Sequence, residues 1–189
     1  DQLLYGGLLA ARETDKSPEE LEEFLSSLQE LHNRHPAIPI YAFSILPRIT
    51  PPDSIDGYEE KKLLMRYSRL LDKLSQQGQA ASSSELDELV SKIPPASLQK
   101  YKNLFEKNAR LNKHLSLMAS QGVLTRLIIG QDDGETYGIP NMEKRTIQTF
   151  LASQAIPESR VCITHGADEI ALTLLAEIRT KAAMPTRVY

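Results

Sequence analysis

Two adjacent carboxylates, Asp132 and Asp133, follow the apolar run Arg126-Leu127-Ile128-Ile129-Gly130, with Gln131 before them and Gly134 after. Adjacent carboxylates repel unless a proton, a cation or a substrate dipole separates them. Such a pair can supply a general acid with a raised pKa beside an ionised neighbour. It can equally offer oxygen ligands to a hard metal ion. Plain turn chemistry is the simpler alternative for Asp-Asp-Gly. The expectation is that at least one of the two points into a concave pocket, with Asp133 the proton donor and Asp132 held by neighbours at the strand end. A second acidic pair, Asp168-Glu169, follows His165-Gly166-Ala167 and opens a helix. One of that pair can cap the helix while the other faces the site. His165 can act as acid, base or ligand, or stand by as a hydrogen-bonded bystander.

Polar groups suited to ligand recognition accompany these acids. Arg48 follows a second apolar run, Tyr5 precedes Gly6-Gly7, and Tyr137-Gly138 lies just beyond the Asp132-Asp133 turn. Asn108 and Asn112 fall, four residues apart, on the helical stripe of Tyr101, Leu104, Phe105, Leu111, Leu115 and Met118. Amides on a core-facing stripe find hydrogen-bond partners or cost about 1–3 kcal/mol each. Either they satisfy backbone locally, or the helix faces a polar cleft with both amides turned to a ligand. The expected catalytic set is therefore Asp132, Asp133, Asp168 and Glu169. The expected substrate-binding set is Tyr5, Arg48, Asn108, Asn112, Gln131, Tyr137 and His165.

Several chemistries lack their motifs. There is no GxxxxGK phosphate loop, Tyr5-Gly6-Gly7 lacks dinucleotide spacing, and no Gly-x-Ser-x-Gly elbow occurs. The four histidines show no paired metal spacing, and the single cysteine, Cys162, sits inside an apolar run. A zinc site is not expected, and neither is a cofactor; a divalent cation held by the carboxylates stays open. A net charge of −3 offers no footprint for nucleic acid or an anionic membrane. No apolar run reaches the ~18 residues of a membrane span. With 41% hydrophobic and 25% charged residues, the 189-residue chain has the composition of a globular protein.

The elements that position these residues alternate. Leu3 to Ala10 reads as a first strand. Ser17-Pro18-Glu19-Glu20 starts a helix whose stripe is Leu21, Phe24, Leu25, Leu28 and Leu31, stopped at His35-Pro36. Ile38 to Leu46 reads as a buried strand, with Pro39 near its start. Helices follow over Tyr58–Gln77, Glu85–Ile93 and Ser97–Gln121, with a linker-like stretch from Gly78 to Ser84. Arg126–Gly130 is a strand, Asn141–Gln154 a helix and Arg160–Thr164 a strand. A last helix carries Ile170, Ala171, Leu174, Leu175 and Ile178. Short apolar strands alternating with amphipathic helices predict an α/β fold with a parallel sheet, either a partial barrel or a doubly wound sheet. The chain reads as a single α/β domain over 1–189 with a helical insertion at about 58–121. Its Asp1 start and Met184–Tyr189 end suggest a fragment of a longer chain. In such folds ligands bind beyond the carboxyl ends of the strands, so all the polar turns should gather on one rim.

The ordered set Tyr5-Gly6-Gly7, Tyr41-Ala42-Phe43-Ser44 with Arg48, Asn108 with Asn112, Gln131-Asp132-Asp133, Tyr137-Gly138 and Gly166-Ala167-Asp168-Glu169 resembles a bacterial family, domain of unknown function 4127. The resemblance spans nearly the whole chain. It implies a bacterial origin and supports the site positions, but assigns no activity and no catalytic residues. The residues themselves point to a cytoplasmic hydrolase acting on a carbohydrate or similar polar small molecule, with strand-end carboxylates as acid and base in the manner of a glycosidase. Two rivals use the same rim: a divalent-metal-dependent hydrolase, and a non-enzymatic module that binds a small solute.

Overall fold

The structure is a computed structural model that describes residues 18–78, 83–132, 134–166 and 170–183. The first strand expected at Leu3–Ala10, the capping Ser17, most of the linker and residues 184–189 lie outside the described residues.

Pro18 has its fixed φ at the first position of α1 (Pro18–Arg34), with Glu19 and Glu20 in the first turn. Leu21, Phe24, Leu25 and Leu28 of α1 pack on the main core, whereas Leu31 at the end of the same stripe is about half exposed. Next comes β1 (Tyr41–Leu46). The expected start at Ile38 is corrected by three residues. Ile38 donates to the His35 carbonyl in a turn and is 59% exposed. Pairing begins only at Ile40, whose N–H donates to Thr125 Oγ1 (3.1 Å) and whose carbonyl accepts from the Thr125 N–H (2.7 Å).

Three helices then intervene: α2 (Tyr58–Gln76), α3 (Ser84–Ser91) and α4 (Pro95–Ser120). Ser83 caps α3 by accepting from the Leu86 N–H at 3.1 Å. These helices share an apolar cluster of their own, centred on Leu64, Tyr67, Leu89, Tyr101 and Phe105. The 26 residues of α4 serve two layers. Its first half belongs to that helical cluster, while Leu111, Leu115 and Met118 of its second half lie against the sheet.

The chain continues through β2 (Arg126–Gln131), α5 (Ile139–Ser153), β3 (Val161–His165) and α6 (Ile170–Ala183). The three strands form an open parallel sheet in the order β1-β2-β3. Side-chain alternation divides it into two faces. Ala42, Leu46, Leu127, Ile129, Val161 and Ile163 meet α1, α4 and α5 on one face. Ile45, Ile128 and Cys162 meet Ile170 and Leu174 of α6 on the other. A barrel segment carries its helices on one outer face, so helices on both faces decide between the two expected architectures in favour of the open, doubly wound one. Gly130 allows the second face to close. A Cβ there would lie 1.9 Å from Ile170 Cδ1 and 2.6 Å from the Gly166 carbonyl oxygen.

Candidate functional site

Register brings the three strands to a common end. Leu46 of β1 is level with Gln131 of β2, which is level with His165 of β3. The Gly166 N–H then donates to the Gln131 carbonyl at 2.9 Å, extending the ladder one step beyond the last strand residue. Arg48 leaves the end of β1 and Asp132 leaves the end of β2. Arg48 donates Nε and Nη2 to one oxygen, Asp132 Oδ2, and so ties the two strand ends together. The Asp132 side chain is 18% exposed. At the neighbouring position His165 Nε2 lies 3.5 Å from Lys144 Nζ on α5. An ammonium can only donate, so at this contact the ring nitrogen is the acceptor.

Between these pairs stands an amide relay. Gln131 Nε2 donates to Asn141 Oδ1 (2.5 Å), and Asn141 Nδ2 donates to the Glu135 carbonyl (2.8 Å). Gln131 is buried, and the relay fixes the first turn of α5 to the end of β2. Tyr137 is half-buried in the same connection.

The helical insertion holds this connection in place. Arg69 of α2 donates through Nε (3.1 Å) and Nη2 (2.7 Å) to the two carboxylate oxygens of Glu135. The Arg69 hydrogen bonds hold the Glu135 carboxyl below the usual carboxylate range. One turn apart on α2, Asp72 Oδ2 accepts from the Gly138 N–H and Ser68 Oγ from the Ile139 N–H, both at 2.8 Å. The start of α5 is thus capped by side chains from another helix, which satisfies donors a helix N-terminus leaves open. Asp72 is fully buried and also pairs with Arg145 of α5. Beside it, Tyr101 of α4 donates to the Ile49 carbonyl at 2.6 Å, fixing the loop that follows β1. These anchors were missed by sequence reasoning. Ser68 and Asp72 interrupt the apolar stripe of α2 at a spacing of four residues, the same signal carried by Asn108 and Asn112.

Those two asparagines lie inside the protein, both fully buried. Asn108 Nδ2 donates to the Ile45 carbonyl (3.2 Å), and Asn112 Nδ2 donates to Asn108 Oδ1 (2.7 Å). Neither expected arrangement describes Asn108: it satisfies backbone, but that of β1, 63 residues away, rather than its own helix. The pair sits against β1 rather than in an open cleft. Tyr5, Asp133, Asp168 and Glu169 lie outside the described residues. Among the expected site residues, Arg48, Gln131, Asp132 and His165 are placed together at the carboxyl edge, and Tyr137 follows on the same connection. An open groove of about 290 Å³ between α2 and α5, lined by Ser75, Met142, Arg145, Thr146 and Thr149, contains none of them. Among the described residues no group of three or more His, Cys, Asp or Glu side chains is arranged to hold a metal ion. No helix there is long and apolar enough to cross a membrane.

No curated protein and no solved structure matches the chain. A family model does, described as "Protein of unknown function (DUF4127)", and it matches residues 1–189. Its match takes in both the sheet with its polar carboxyl edge and the helical insertion that braces it, so the chain belongs to the DUF4127 family.

Proposed function

We propose that the protein is a hydrolase for a carbohydrate or a similarly polar small molecule, working at the carboxyl edge of its sheet. The observation that carries this reading is the level ending of β1, β2 and β3, with Arg48 gripping Asp132 and Lys144 meeting His165 there. Strand carboxyl ends are where open parallel sheets bind ligands. Arg48 gives Asp132 a fixed orientation, which suits a carboxylate that aligns the reacting group. In this reading Asp133 protonates the leaving oxygen as the carbon–oxygen bond breaks, and water supplies the new hydroxyl. Asp168 and Glu169 complete the acidic set, Tyr5, Tyr137 and His165 bind hydroxyls, and the buried Gln131 holds the rim through Asn141.

A panel of nitrophenyl glycosides incubated with the protein tests the proposal. Turnover of at least one substrate is expected. Asp133→Asn should abolish it with an unchanged melting temperature, and Asp132→Asn should reduce it by about 100-fold or more. Hydrolysis of none of the panel, or full activity in both variants, overturns the reading. A melting-temperature rise with Mg²⁺ or Mn²⁺ that the same variants remove would instead favour the metal-dependent rival. Saturable sugar binding without turnover would favour the solute-binding one.

A further inference from the structure

A doubly wound sheet opens a crevice where neighbouring strands send their chains to opposite faces, and ligands bind there beyond the carboxyl ends. In this protein that point lies between β2 and β3. From β2 the chain passes to α5, whose Ile147 and Leu151 pack on the face of Leu127 and Ile129. From β3 it passes to α6, whose Ile170 and Leu174 pack on the opposite face, against Ile128. The two strand ends are level, Gln131 with His165, and the bond from the Gly166 N–H to the Gln131 carbonyl closes the crevice below.

One basic group from each arm of this crevice meets the other. Lys144 stands in the second turn of α5 and is half-buried, and His165 is the last residue of β3 and is exposed. Alternation puts His165 on the side of Val161 and Ile163, which is the side that α5 covers. Lys144 Nζ and His165 Nε2 are 3.5 Å apart. That is longer than a normal hydrogen bond, about 2.7–3.2 Å for an N–H donor, so the ammonium makes poor use of its protons. Its charge is also unmatched. Each neighbouring carboxylate of the connection has a guanidinium of its own, Asp132 with Arg48, Glu135 with Arg69 and Asp72 with Arg145. Glu143, beside Lys144 in the chain, is buried. Among the described residues His165 is the one partner of the Lys144 side chain.

We propose that Lys144 and His165 form the subsite for a carboxylate, and that the polar molecule bound at the carboxyl edge is a sugar acid or a similar hydroxylated acid. The proposal rests on the reading of that edge as a substrate site and narrows the role of His165 within it. Two oxygens of one carboxylate can take Lys144 Nζ and His165 Nε2 together, each at about 2.7–2.9 Å. His165 then presents its Nε2–H tautomer, with Nδ1 left as the acceptor, so no net proton is taken up. One ammonium balances one negative charge, which suits a carboxylate better than a phosphate dianion.

Binding rather than turnover tests the subsite. Glucuronate and galacturonate are titrated by calorimetry at fixed ionic strength, beside glucose, galactose and glucose phosphate. At least one acid should bind about tenfold or more tightly than its neutral parent, the equivalent of one charge-assisted hydrogen bond. The ring signals of His165 in a heteronuclear NMR spectrum should move with that acid and not with the neutral sugar. Lys144→Gln should remove the preference and Lys144→Arg should keep most of it. Lys100→Gln, which deletes the same charge from an exposed position on α4, should leave it unchanged. No binding of either acid, equal affinities for acid and neutral sugar, or a preference that survives Lys144→Gln overturns the proposal. So does tighter binding of glucose phosphate than of both acids. A glycoside panel left unhydrolysed would overturn the hydrolase reading alone, because the preference for an acid is measured without turnover.

Discussion

Cys162 stands in the middle of β3 on the face covered by α6, half-buried, and burial pushes its thiol above the usual range despite the opposing influence of Arg126. A raised thiol carries less thiolate at any given pH, and the thiolate is the reactive form. Iodoacetamide at pH 8 should therefore label the folded protein at least about tenfold more slowly than the protein in urea. Equal rates would show that Cys162 is open to solvent. Glu135 presents the opposite case. Arg69 lowers its folded-state value below that of the unfolded chain, so the contribution is fully present above the unfolded value, near pH 4.3. It is lost as pH falls through the lower, folded value. Both side chains are 40% exposed, which limits the magnitude. Melting temperatures measured between pH 2.5 and 6 should fall towards acid, and Glu135→Gln should make that fall shallower by about 1–3 °C. A variant curve parallel to the wild type would remove the pair from the acid response.

At the level of elements, the start of α5 depends on α2. Asp72→Ala leaves the Gly138 N–H without its acceptor and Arg145 without its partner, and should cost about 1–3 kcal/mol in urea unfolding. Exchange of the Gly138 and Ile139 amides with deuterium should accelerate in the same variant. Unaltered stability and exchange would make the cap incidental. Gly130→Ala tests the other face of the sheet. The added methyl would strike Ile170 and the Gly166 carbonyl, and a loss of about 1–3 kcal/mol is expected.

Most of these elements were legible in the sequence, because Leu, Ile and Phe at helical spacing and short β-branched runs report burial directly. Ile38 misled because it is apolar and next to a run of apolar neighbours, yet a turn through Pro36 carries it outward. Leu175 misled in the same way: it shares the apolar side of α6 with Leu174 but is 56% exposed. The candidate site was legible as a set of strand-end residues but not as pairings. That Arg48 would choose Asp132, or Arg69 choose Glu135, depends on partners 84 and 66 residues away, and no local pattern records such distances.

At the scale of the whole molecule, three apolar clusters of unequal size share the work of cohesion among the described residues. The one beneath α6 is the smallest, with Ile45, Ile128, Ile170 and Leu174 as its buried members. Leu174→Ala should cost about 2–5 kcal/mol, whereas Leu175→Ala, at an exposed position of the same helix, should stay within about 0.5 kcal/mol. Comparable losses in the two variants would mean that α6 packs differently. The cap on α5 also sets an order in time. Ser68 and Asp72 leave the ribosome 71 and 66 residues before the Ile139 and Gly138 amides that they bind. At roughly 5–20 residues per second, the acceptors wait about 3–14 s for their donors. During that interval α2 must carry a carboxylate whose final surroundings exclude water. Synthesis of the second half of the sheet therefore completes the helical insertion, and a nascent chain stalled before residue 138 should leave α2 open to protease.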